Sequence, residues 1–178
     1  MNKVILITGT SSGIGKDTAL SLIKEGHVVY GAARRLEMMQ DIIQAGGHAI
    51  KMDILKERNI DEVVNQIVKE QNRIDVLINN AGYGLWGAVE TISIPEAKRQ
   101  FDVNIFGLAY LTKKIIPLMR KQKSGKIINM SSMGGKVYTP FGAWYHATKY
   151  ALEGWSDCLR IELKSFGIDV ILIEPGVI

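Results

Sequence analysis

A chain of 178 residues with 47% apolar and 22% charged side chains can bury a sizeable core, which excludes a disordered segment and fits one α/β-type domain. The net charge of +4 is spread along the chain, and its densest run, residues 113–126, alternates with apolar residues as a solvated helix face does, so no nucleic-acid partner is expected. Met1-Asn2-Lys3 leads into an apolar run of about five residues, too short for a signal peptide, and no run approaches the ~20 residues of a membrane span, so the expectation is a soluble cytoplasmic protein.

In chain order, a strand over residues 4–7 runs through a glycine-rich turn into a helix over 15–25 that stops at Gly26. Strands follow over 28–30 and 49–52, then a helix over 57–70 and a strand over 76–78. A long helix spans 95–121 with Pro95 near its first turn, followed by a strand over 127–130, a helix over 143–166 stopped by Gly167, and a strand over 170–173. The strand runs are apolar at successive positions, which predicts burial on both faces and a parallel sheet between helix layers. No repeat or linker divides residues 1–178, read as one nucleotide-binding domain. Because Pro175-Gly176-Val177-Ile178 directly follows a buried-type strand, an exposed sheet edge and a partial chain are expected.

Residues 4–15, VILITGTSSGIG, place Gly9, Gly13 and Gly15 between the first strand and the first helix. Such a turn lets backbone N–H groups approach a pyrophosphate, the helix dipole adds favourable potential, and Thr8, Ser11 and Ser12 offer hydroxyls. A tight ligand-free connection is the alternative for this segment taken alone. The second strand ends in Arg34-Arg35 about twenty residues after the glycines, where an NAD site often carries an acidic residue. Ala33 and Arg34 stand there instead, and a guanidinium pairs with a 2′-phosphate, so NADP is favoured over NAD. Arg35 fits a solvated surface charge better than Arg34 does.

Tyr145 and Lys149, four apart in AWYHATKYALEGW, project from one helix face as an acid–base unit, the ammonium favouring the phenolate. Ser132 follows the strand over 127–130, at the strand end where ligands bind in parallel sheets. The adjacent Ser131 points to the other side. His27, His48 and His146 lack ligand spacing, so no metal is expected. Cys158 reads as a packed thiol, and Trp86, Trp144 and Trp155 as core or pocket wall.

TGTSSGIG, the turn Asn79-Asn80-Ala81-Gly82, Asn104, Ser132, Tyr145, Lys149 and Pro175-Gly176 together resemble the short-chain dehydrogenase/reductase family, across essentially the whole chain. The resemblance implies a Rossmann-type doubly wound parallel sheet of order 3-2-1-4-5-6, with a seventh strand and a substrate-covering segment beyond Ile178. It implies Tyr145 as catalytic acid/base, Lys149 binding the nicotinamide ribose and easing Tyr145 ionisation, Ser132 orienting substrate, and Asn104 supporting a proton relay. Cofactor contacts are implied for Gly9, Ser11, Ser12, Gly13, Ile14, Gly15, Asn80, Ala81 and Gly82, for Asp53 and Ile54 at the adenine, and for Pro175, Gly176 and Ile178 by the carboxamide. Ser11 and Arg34 would share the 2′-phosphate. Ser12 departs from the many NADP-preferring members that carry a basic residue there. The activity implied is reversible hydride transfer between NADP(H) and an alcohol or ketone. A non-catalytic nucleotide sensor, or a lyase or isomerase using the cofactor transiently, is the alternative. The long helices imply a homodimer or homotetramer.

Overall fold

Alternate residues of β1 (Val4–Thr8) feed two separate cores. Val4 and Leu6 join one and Ile5 and Ile7 the other, because successive side chains of a strand leave opposite faces. In the computed structural model, which describes residues 2–176, β1 sits inside a six-stranded parallel sheet. Its other strands are β2 (Val28–Ala33), β3 (His48–Lys51), β4 (Val76–Asn79), β5 (Gly125–Met130) and β6 (Ile168–Ile173), ordered β3-β2-β1-β4-β5-β6. This is the order expected for a Rossmann-type doubly wound sheet.

Helices α1 (Gly13–Lys24) and α2 (Gln40–Gln44) cover one face through Ala19 and Ile42. The other face carries α3 (Glu57–Gln71), α5 (Leu108–Gln122) and α6 (Ala143–Leu163), which contribute Ile60, Ile67, Leu111, Ile115, Met119, Leu159 and Leu163 to the larger core. Asn79, Asn129, Thr112 and Ser156 form a buried polar chain between sheet and helices. Asn79 Nδ2 donates to Thr112 Oγ1 at 3.0 Å and to Asn129 Oδ1 at 2.9 Å, and Asn129 Nδ2 donates to Ser156 Oγ at 2.8 Å.

Four expectations are corrected. Burial on both faces holds for β1 but fails at the edges, where β3 is open and β6 leaves Ile171 37% and Ile173 41% exposed on the α1 side. The single helix over 95–121 is three segments: α4 (Ile94–Phe101), a π-helical stretch Asp102–Gly107, and α5. Helix α4 starts on a capping box, in which Ser93 accepts from the Glu96 amide and the Glu96 carboxylate accepts from the Ser93 amide. A short 3-10 turn, Leu36–Met39, and α2 occupy residues left without an element by sequence periodicity. Cys158 is exposed rather than packed, since it falls on the outer side of α6 while Leu152, Ser156 and Leu159 face inward.

Candidate active site

The carboxyl ends of β1, β2, β4, β5 and β6 open into one cavity of about 890 Å³, near the top of the roughly 300–1,000 Å³ of small-ligand sites. It lies between β1 and β4, where successive crossovers leave in opposite directions and an open α/β sheet forms a crevice. Thr8 closes the floor of that crevice. Its Oγ1 accepts the amide hydrogens of Asn80 (3.1 Å) and Ala81 (2.9 Å), while Asn80 Nδ2 donates back to the Thr8 carbonyl at 3.0 Å. Thr8 Oγ1 thus joins two strands as an acceptor, while its hydroxyl hydrogen stays free to donate into the cavity that Thr8 lines. Gly9 has φ +75°, and a Cβ there would stand 2.9 Å from Ala81 Cα, so the turn tolerates no side chain.

Beyond that turn, the N-cap Ser12 makes no side-chain hydrogen bond, and the first turn of α1 has no acidic residue. Its leading N–H groups are thus free for an anion. Gly13, at φ +57°, has nothing within 4 Å of the position a Cβ would take, so the approach is open. Ser11, Ser12, Ile14, Arg34 and Arg35 also line the cavity. Arg35 Nη2 donates to Ser11 Oγ at 3.2 Å. Among the described residues neither arginine has a carboxylate partner. Two uncompensated guanidiniums beside an uncapped helix N-terminus fit a phosphate-bearing dinucleotide, and Asp53, Ile54, Asn80, Ala81 and Gly82 continue the wall. Reading Arg35 as a solvated charge missed its contact, because a loop residue's reach toward Ser11 leaves no periodic signal.

At the opposite end, Ser132, Tyr145 and Lys149 line the same cavity, so three widely spaced stretches converge. The Lys149 ammonium lies 5.8 Å from the Tyr145 ring centroid and donates to the Met130 carbonyl at 2.8 Å. Burial pushes Lys149 down to about 8 from 10.5, with Glu153 one turn along α6 pulling it back up. Ser132 Oγ accepts the Gly134 amide hydrogen at 3.0 Å, which leaves its own hydrogen free to donate. Ser131 also borders the cavity, but its Oγ is turned toward Gly135 and Glu153, where it and Glu153 crowd the position of a Gly135 Cβ at 3.0 and 2.9 Å.

Asn104 sits in the π-helical stretch, and its side chain is not among the groups lining the cavity. Its Nδ2 donates to the Tyr83 carbonyl and to Thr148 Oγ1, each at 3.0 Å, and its Oδ1 accepts from the Tyr83 amide at 3.1 Å. Its amide therefore ties the turn after Gly82 to α6. Pro175 and Gly176 border the cavity, and Ile178 lies outside the described residues. Trp86 forms the outer wall 5.6 Å from the Tyr145 ring, joined by Met133, Val137 and His146. Of these wall residues only Trp86 stood out in the sequence. Among the described residues no cluster could hold a metal ion, and no helix is long and apolar enough to cross a membrane.

Known proteins share this fold. Residues 3–178 match the family model described as short chain dehydrogenase. The chain is 42% identical over 174 residues to a 3-ketodihydrosphingosine reductase of Bacteroides thetaiotaomicron, covering 98% of this chain and 63% of that protein. Among solved structures it superposes on ElxO with NADP bound at a TM-score of 0.93 with 30% identity, covering 99% of this chain and 74% of ElxO. It superposes equally well, at 0.94 with 31% identity, on a 3-ketoacyl-(acyl-carrier-protein) reductase of Brucella melitensis complexed with NADH, covering 98% of this chain and 75% of that one.

Proposed function

The chain belongs to the short-chain dehydrogenase family, and from that premise we propose that it serves an NADP(H)-dependent oxidoreductase interconverting an alcohol and its ketone. The observation that carries this reading is one cavity with an anion-seeking turn at one end and Ser132, Tyr145 and Lys149 at the other. Bound NADPH supplies the hydride, and NADP accepts it in the reverse direction. Tyr145 passes the proton at its hydroxyl to or from the substrate oxygen. Ser132 donates a hydrogen bond to that oxygen, since its own acceptor site is taken by the Gly134 amide. Lys149 spends one N–H on Met130 and keeps two for cofactor ribose hydroxyls. The wall formed by Trp86, Met133 and Val137, each about half exposed, suits an apolar substituent on the carbonyl carbon.

Preference for NADP rests on Arg34 together with Arg35. The pairing of Ser11 with Arg35 rather than Arg34 extends the expected 2′-phosphate site to both guanidiniums. The relative of B. thetaiotaomicron makes 3-ketodihydrosphingosine a natural probe, beside 2-octanone and cyclohexanone. NADPH consumption with at least one of these, lost in Tyr145→Phe, is the expected result. In the full-length protein, cofactor binding without turnover and without any effect of Tyr145→Phe would favour a nucleotide sensor, and product formation without net NADPH change a lyase or isomerase.

A further inference from the structure

The residue after Tyr145 meets the phenol ring edge-on, with ring centroids 5.8 Å apart, and holds the wall of the site. His146 is buried, and both ring nitrogens are engaged. Nδ1 lies 2.9 Å from the Gly134 carbonyl oxygen, which can only accept, so Nδ1 carries the hydrogen. Nε2 faces the Thr139 amide at 3.1 Å and the Thr139 hydroxyl at 3.0 Å, and an N–H can only donate, so Nε2 is the bare acceptor. The neutral Nδ1–H tautomer is therefore dictated by its neighbours.

Packing enforces the same position. A Cβ on Gly134 would stand 3.0 Å from His146 Nδ1, and one on Gly142 would stand 2.6 Å from Cδ2, so both glycines make room for the ring. Trp86 meets it edge-on at 5.8 Å, and the Gly87 amide donates to the Phe141 carbonyl at 2.8 Å, tying the tryptophan segment to the same loop. Two further residues of α6 grip residues 133–141 from the same helix face, at the spacing of successive turns. Tyr150 donates its hydroxyl hydrogen to the Lys136 carbonyl at 2.7 Å. The buried Glu153 carboxylate lies 2.8 Å from Lys136 Nζ, a close but off-axis ion contact, since neither carboxylate oxygen has a directional hydrogen bond.

We infer that His146 is a positioning residue that, with Tyr150 and Glu153, fixes the loop carrying Met133 and Val137 and its neighbour Trp86 against the helix that carries Tyr145, thereby setting the fit of the carbonyl substrate. The inference rests on the proposed oxidoreductase reading only for its kinetic part. In the wild-type protein, ring nitrogen NMR, with the His146 signals identified by their loss in His146→Gln, should show a protonated Nδ1 and a bare Nε2. In His146→Phe, hydrogen exchange at the Thr139 amide should quicken about tenfold, the worth of about one neutral hydrogen bond. NADPH affinity should stay unchanged while KM for the panel ketone turned over fastest rises more than kcat falls. His146→Gln, which keeps an acceptor for Thr139, should recover part of both losses. A protonated Nε2, or Thr139 exchange unchanged in His146→Phe, would overturn the inference. Absence of turnover in the wild type would sink the oxidoreductase reading instead, leaving ring tautomer and amide exchange to decide this one.

Discussion

Replacing Lys149 by methionine should stabilise the protein near neutral pH while removing its proposed chemistry. In the fold without cofactor, burial holds the Lys149 ammonium down at about 8 against 10.5 when free in water. Each tenfold in a proton equilibrium is about 1.4 kcal/mol, so keeping the charge inside costs the folded state about 3 kcal/mol at pH 7. The sign follows from proton counting. Between pH 8 and 10.5 the unfolded chain holds the lysine proton and the folded chain has shed it, so wild-type stability rises with pH across that window. Methionine neither titrates nor carries charge, although it leaves the Met130 carbonyl without its 2.8 Å donor, which offsets about 1–3 kcal/mol. That offset is independent of pH and the electrostatic cost is not. Urea unfolding of wild type and Lys149→Met in parallel should therefore show the stability difference moving in favour of the wild type by about 3 kcal/mol from pH 7 to 10.5. Other groups that titrate in both proteins cancel in the difference. A difference that stays flat across this range would refute the claim that a desolvated ammonium sits at the site.

Other outcomes follow from the same geometry. Tyr145→Phe should lower turnover about 10²–10⁴-fold, the range for loss of a general acid, with NADPH affinity retained in fluorescence titration. Asp substitution at Arg34 or Arg35 should weaken NADPH far more than NADH, and equal weakening of the two would remove the 2′-phosphate assignment. Asn129→Ala strips partners from Asn79 and Ser156 at once and should cost about 2–4 kcal/mol in denaturant unfolding. Phe106 is 62% and Ile161 79% exposed, and the proposed homodimer or homotetramer would cover such surface. Light scattering should then give a mass of two or four chains, with Ile161→Lys shifting it downward if that helix face forms the contact.

What this sequence determines by itself is local. Apolar runs at single-residue spacing place strands, Gly9 and Gly13 mark a turn that requires positive φ, and Tyr145 and Lys149 share a face because a helix repeats every 3.6 residues. Strand order came through family resemblance rather than from periodicity, which carries no information about neighbours. Tertiary structure decided the features that depend on contacts between distant stretches. The π-helical break at Asn104 accompanies bonds from its amide to Tyr83 and Thr148, so a continuous helical pattern gives no sign of it. Arg35 acquires its place from Ser11, and His146 its tautomer from Gly134 and Thr139. The depressed Lys149 titration is likewise set by burial, and burial belongs to the assembled sheet and helices rather than to any one segment.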